Sequence, residues 1–222
     1  TGLMDKKNIE TILPLTSLQQ GFLWHSVSSQ EGNSAGLIQM RCRLTGSLDQ
    51  NQFSLAWRQT VAHHQMLRAT VHWQNVKKPV MVILRQAPAD VTFLDWRQQT
   101  PIEAGLQEFL TADLKAGLVI ERAPVFRMAL IRTDDQTHEL IWTSHHLLLD
   151  GWSGGLILDE LLARYGSLVE QTSFSAGPDP AFAVSCSQFI CFEGYPAQVF
   201  LSGGTKPQSG LFMLFSGLYI LF

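Results

Sequence analysis

The sequence predicts an α+β (mixed α/β) fold, and three observations carry that reading. From Asp49 to about His64, the residues Phe53, Ala56, Trp57 and Val61 recur at helical spacing and mark an amphipathic helix. RATVHW (68–73) and PVMVIL (79–84) are β-rich runs around the polar QNVKK, the pattern of a hairpin. A second pair of strands, VFRMALIR (125–132) and HELIWTSH (138–145), flanks the polar turn TDDQT. Strands joined mainly by hairpins, with few crossover units, define the mixed class.

The remaining elements follow in order. Residues 9–14 read as a short extended piece ending at Pro14. A helical run comes next, with Thr16 or Ser17 as N-cap and Leu18, Phe22 and His25 or Ser26 on one side. LIQMRCRLT (37–45) alternates apolar and polar side chains, as a half-buried strand does. The helix at 49–64 has Ser47 or Asp49 to cap it. Residues 101–115 read as helix, with Pro101 in the first turn and Thr100 as the cap. After Gly151, the run WSGGLILDELLARYGSL carries Leu156, Glu160 and Ala163 on one side and Ile157, Leu161 and Leu162 on another, which fits a largely buried helix.

Charge divides the chain unevenly. It has 222 residues, 16 Lys+Arg against 19 Asp+Glu and a net charge of -3, so no basic footprint for nucleic acid or an anionic membrane exists. Residues 171–222 hold only Asp179, Glu193 and Lys206. That stretch sustains neither a period of 2 nor one of 3.6, and its end, LFMLFSGLYILF, is too short to span a bilayer, which needs about 20 residues. It reads either as a buried or interfacial segment or as a tail not native to the domain, for example through a frameshift. Cys42, Cys186 and Cys191 follow no ligand spacing and are expected as free thiols in a reducing compartment. The opening TGLMDKKNIE lacks the apolar core of a signal peptide, and the expected location is the cytoplasm.

The segment SHHLLLDGWS (144–153) concentrates the chemistry. Adjacent histidines at a strand end point to opposite faces, so one can face a cleft while the other packs inward. His146 is the candidate acid/base, because imidazole titrates near neutrality and can accept a proton from an attacking amine or hydroxyl. Asp150, four residues on, either orients that ring directly or ties the loop to a basic side chain elsewhere. No serine or cysteine sits in a G-x-S-x-G elbow, which leaves covalent catalysis without support. No metal site is expected, since neighbouring strand residues diverge.

HHLLLDGWS (145–153) resembles the HHxxxDG motif of condensation domains from nonribosomal peptide synthetases, which belong with the chloramphenicol acetyltransferase-like acyltransferases. ILPLTSLQQGFLWHS (12–26) is similar to the family's opening PL(T/S)xxQxGxLxHS motif. HHQMLRATV (63–71) is similar to its RHxxLRTxF motif, with His63 where Arg is usual and Ala69-Thr70 shifting the usual Arg-Thr. The three lie in the family's order over about 150 residues.

The resemblance implies a chloramphenicol acetyltransferase-like N-terminal lobe over residues 1–170, with 171–222 an irregular low-charge tail. The implied reaction is amide formation, by attack of a carrier-bound amine on a carrier-bound acyl thioester. His146 would assist the amine as base or by positioning it, and His145 would pack and hydrogen-bond. Gly151 would let backbone approach the thioester. Asp150 would pair with Arg68 as a structural salt bridge. No cofactor would be bound, since both substrates ride on phosphopantetheine arms of carrier domains. Implied partners are those carriers, the C-terminal lobe of the same domain, whose DFG-type motif this chain lacks, and an adenylation domain of a parent synthetase. PLTSLQQGFLWHS points to an L-configured donor. A related ester-forming or epimerisation domain is the enzymatic alternative, and an inactive remnant or a carrier-binding module is the non-enzymatic one.

Overall fold

In the computed structural model, which describes residues 6–28, 35–171, 183–191 and 195–197, strands and helices mix as expected. The first half holds β1 (Ile9–Pro14), α1 (Ser17–Ser28), β2 (Leu37–Thr45), α2 (Gln50–His63), β3 (Ala69–His72) and β4 (Val80–Leu84). After these come β5 (Thr92–Asp95), α3 (Ile102–Ala116), β6 (Phe126–Asp134), β7 (Thr137–His145), α4 (Gly151–Val169), β8 (Ala183–Cys191) and β9 (Tyr195–Ala197). A small antiparallel sheet runs β1-β4-β3, and a six-stranded sheet runs β5-β6-β7-β2-β8-β9. Only β5 against β6 is parallel among these pairings.

Helix starts follow local hydrogen-bond chemistry. Thr16 caps α1 in a reciprocal box: its Oγ1 accepts from Gln19 N–H at 3.2 Å, and Gln19 Oε1 accepts from Thr16 N–H at 3.0 Å. Asp49 caps α2, accepting from the Asn51 and Gln52 amides at 2.8 and 3.0 Å. At α3 the cap position is Pro101 rather than Thr100, and no side chain caps it.

The large sheet is covered on both sides. One face buries Met40, Leu44, Met128, Leu130, Leu140 and Trp142 against α2 and α4, and Trp57 of α2 meets Phe126 and Trp142 edge-on at 5.2 and 5.6 Å. Each such side chain, fully withdrawn from water, contributes about 1.5–3 kcal/mol. The other face packs Ala129, Ile131 and Ile141 on Leu106 and Leu110 of α3. Polar residues of β2 on that side find partners on α3 and β7: the Gln39 amide donates to Leu110 O and Asp113 of α3, and Arg41 pairs with Glu103 of α3 at 2.8 Å and Glu139 of β7 at 2.9 Å. This covering corrects the half-buried reading of 37–45, because every residue from Leu37 to Cys42 is buried. A third cluster, with Leu15, Leu23, Leu37, Val71, Ile83 and Leu147, ties the small sheet and α1 to the start of β2 and the turn after β7.

Other differences have equally local causes. In α1 the buried residue is Leu23, whereas Leu18 is 60% exposed. In α4, Ile157, Leu158, Leu161, Ala163 and Tyr165 are buried, as a largely buried helix requires, but Leu156 is 56% exposed. Ala183–Cys191 carries no clear period yet hydrogen-bonds along β2. The apolar run at 211–222 lies outside the described residues. Cys42, expected as a free thiol, is disulfide-bonded, and its register partner on β8 is Cys186. Cysteine usage therefore no longer argues for a reducing compartment. No helix among the described residues is long and apolar enough to cross a membrane.

Candidate active site

His145 is the last residue of β7, and His146 opens the turn that follows. Alternation would send their side chains to opposite faces, but the strand ends between them and both rings meet α1. Ser26 Oγ lies 3.3 Å from His145 Nε2, and the Phe22 ring stacks on His146 with centroids 4.5 Å apart and planes 21° apart. Gln19 Nε2 donates to Leu147 O at 3.3 Å. Positions 19, 22 and 26 are spaced by three and four, so a single helix face addresses three consecutive residues of the turn.

The start of β2 holds the turn from another side. His146 N–H donates to Gly36 O at 2.8 Å. Gly36 has φ of 76°, and a Cβ there would stand 2.8 Å from His145 Cε1 and 2.9 Å from Ser26 Oγ. Glycine is required at this point both for its backbone conformation and for the close approach of the imidazole.

His145 is buried and its tautomer is fixed by its contacts. Nδ1 accepts from the Leu147 amide at 3.1 Å, so the ring proton belongs on Nε2, toward Ser26 and the Ala35 carbonyl. Burial lowers its pKa to about 4, against the pull of the Ala35 carbonyl, and the neighbouring His146 adds to the lowering. His145 is therefore a neutral, structural imidazole. His146 differs in kind: it is half-buried, its Nδ1 is buried without a partner, and no hydrogen bond among the described residues engages its other nitrogen. Nothing among the described residues consumes its proton-transfer capacity.

Asp150 and Arg68 do not form the expected salt bridge. Asp150 is exposed and serves as the N-cap of α4, its Oδ1 accepting from Ser153 N–H at 2.7 Å. Arg68 is buried in the turn before β3; its Nη1 donates to Glu10 at 2.6 Å and to the Leu84 carbonyl. The guanidinium thus joins β1 to the end of β4, and the Glu10 carboxyl is held below its ordinary pKa by the Arg68 bond and then by Gln65. Capping turns the Asp150 carboxylate back onto its own helix, which also leaves it out of any triad contact with His146 among the described bonds. Gly151 is the first residue of α4 and is absent from the positive-φ positions, so its local value is the missing side chain, not a left-handed backbone.

Sequence reasoning named the histidines but missed Gly36 and Phe22 as their neighbours. The glycine that begins a strand and the aromatic within a helix are ordinary in isolation; the fold alone brings them to the turn. A separate group was also not foreseen: His63, His64 and Glu160 bring one ligand atom each within 4.8 Å of one another. Glu160 already has both oxygens engaged, with His64 Nε2 at 2.9 Å and Arg164 at 2.8 Å. His64 links the end of α2 to α4 by its hydrogen bond to Glu160, and His63 meets His64 edge-on.

Fold and site define a mixed α/β lobe whose strand-end turn carries one locked imidazole and one whose Nδ1 has no hydrogen-bond partner. The family model for the condensation domain matches residues 9–191, and the chain belongs to that family. It is 32% identical over 220 residues to chondramide synthase cmdD of Chondromyces crocatus, covering 79% of this chain and 6% of that protein. It is 35% identical over 159 residues to bacitracin synthase 3 of Bacillus licheniformis, covering 71% and 2%. Among solved structures, the first condensation domain of the CDA synthetase superposes with a TM-score of 0.70 at 19% identity, over 76% of this chain and 42% of that one. The starter condensation domain of rhizomide synthetase RzmA gives 0.67 at 20% identity, over 75% and 42%. The chain thus spans a few per cent of the curated synthetases it matches and under half of each of these solved chains.

Proposed function

We propose that this chain supplies the histidine-bearing lobe of a peptide-bond-forming condensation domain, in which His146 receives or orients the amine that attacks an acyl thioester. The observation that supports this most is the contrast within the pair. His145 is locked as a neutral hydrogen-bonding ring, while His146 sits on the same braced turn with both nitrogens uncommitted among the described residues. Aminolysis of a thioester needs an unprotonated amine and a tetrahedral oxyanion held in line, and one positioned imidazole with well-placed reactants meets that need. A mutant of the RzmA starter domain was solved with C8-CoA and Leu-SNAC, ligands of the chemical kind this reading requires.

Asp150 acts as the helix cap that places the turn, Gly151 leaves room beside it, and Arg68 braces the small sheet. Both substrates arrive on phosphopantetheine arms of carrier domains, and an adenylation domain of the parent synthetase loads them. The C-terminal lobe completes the site. Trp152 and Leu156 at the start of α4, Leu18 and Trp24 on α1, and Ile12 and Leu13 on β1 are large apolar side chains left exposed on elements that flank the histidine turn. These side chains are the surface that the C-terminal lobe would cover.

The test is amide formation from carrier-loaded donor and acceptor, using the chain alone and the chain joined to a condensation-domain C-terminal lobe. Product in the two-lobed protein that disappears in His146→Ala supports the reading. Product that persists in His146→Ala overturns the role of His146.

A further inference from the structure

We propose that Phe22 is the positioning residue for His146, doing by ring stacking what an orienting carboxylate does in a hydrogen-bonded triad; this rests on the catalytic reading of His146. Three observations lead there. Among the described residues no side chain hydrogen-bonds the His146 ring: its Nδ1 is buried and unpartnered, and Asp150, the carboxylate nearest in sequence, is spent on the Ser153 amide. The ring is nevertheless placed, because Phe22 lies against it nearly parallel, at 4.5 Å and 21°. Phe22 is itself fixed, since α1 is anchored on both sides of it by Gln19 to the Leu147 carbonyl and by Ser26 to His145.

An aromatic face restrains a neighbouring ring's plane without taking either of its nitrogens. A carboxylate bound to Nδ1 would fix the tautomer and raise basicity, and it would also commit one nitrogen. Stacking leaves Nε2, the nitrogen that is not buried, free to take the proton of the attacking amine and pass it to the departing thiolate. The backbone of the turn is set independently by the His146 amide bond to Gly36. Phe22 therefore governs the ring and not the loop.

The experiment is side-chain NMR of the full chain, with histidine rings assigned through His145→Gln and His146→Gln. The wild-type His146 carbon-bound protons are expected upfield, shielded by the Phe22 face, and in a single narrow set. Phe22→Leu keeps apolar bulk but removes the ring; it is expected to lose the upfield shift and broaden those signals while the His145 signals and backbone amides stay in place. Phe22→Tyr is expected to restore the wild-type pattern. In the two-lobed protein, Phe22→Leu is expected to lower kcat at least tenfold with KM unchanged, and Phe22→Tyr to recover most of it. Unshielded His146 protons in the wild type, a His146 spectrum unaltered by Phe22→Leu, or full kcat in that variant overturns the proposal. A two-lobed wild type that forms no amide sinks the catalytic reading instead, and the NMR result still stands or falls by itself.

Discussion

Ser26 Oγ and His145 Nε2 meet at 3.3 Å across a separation of 119 residues, and the contact joins the first helix to the last residue of β7. With Gly36 pressed against the same ring, His145 becomes the peg on which the histidine turn hangs. Gly36→Ala is expected to destabilise the chain by at least about 1–3 kcal/mol, because the left-handed backbone and the 2.8 Å approach to His145 both oppose a methyl group. Urea unfolding of the two proteins measures it; equal midpoints would refute the peg.

Acid should loosen that peg. The folded pKa of His145 is about 4 against an ordinary 6.5, so between these values the unfolded chain binds a proton that the folded chain does not. This stability is complete above pH 6.5 and is lost as pH falls toward 4, by roughly 3 kcal/mol in all. Chemical denaturation at intervals from pH 7 to pH 4.5 should show the fall, and His145→Gln should flatten it. A slope that survives in His145→Gln would assign the acid sensitivity to other groups.

Asp150 separates two roles that a single substitution would confuse. As an N-cap it can be replaced by Asn, which caps nearly as well, whereas Ala removes the acceptor and costs about 1 kcal/mol. If the carboxylate instead served an ion pair with Arg68, Asn would be as damaging as Ala. Thermal or urea unfolding of Asp150→Asn and Asp150→Ala distinguishes them, with the Asn variant expected near wild type.

The fold class was legible because its signals are local. Phe53, Ala56, Trp57 and Val61 declare a helix face by spacing alone, and they are among the residues α2 buries. Helix starts were legible for the same reason, since a cap bonds to residues two or three ahead; of Thr16 or Ser17 and Ser47 or Asp49, Thr16 and Asp49 make the bonds. What stayed hidden depends on partners far along the chain. Leu18 and Leu23 are equally apolar, and only the position of Leu147 and the small sheet decides that Leu23 goes inside. β5 is four residues long and pairs in parallel with a strand more than thirty residues later, so nothing in TFLD marks it. At the site, the HH-x-x-x-D-G pattern located the turn, but the family resemblance implied that Arg68 pairs with Asp150. The guanidinium instead meets Glu10, a residue in none of the three motifs.

Glu10 and Arg68 therefore supply a test that the motif alone would not suggest. Arg68 is buried with one guanidinium nitrogen, Nε, already without a partner, so its tie to Glu10 and to the Leu84 carbonyl is what keeps the charge tolerable. Removing one member of a buried pair costs more than the pair contributes, because the remaining charge stays desolvated. Glu10 is more exposed than Arg68, and water can partly replace its carboxylate. Glu10→Gln is accordingly expected to cost much less than Arg68→Ala, which should cost about 3 kcal/mol or more, since it also strands the carbonyl it served. The double variant Glu10→Gln/Arg68→Ala should be less destabilised than the sum of the singles, which a double-mutant cycle in urea reads directly. Strict additivity there, together with coupling between Asp150 and Arg68, would restore the ion pair that the motif implied.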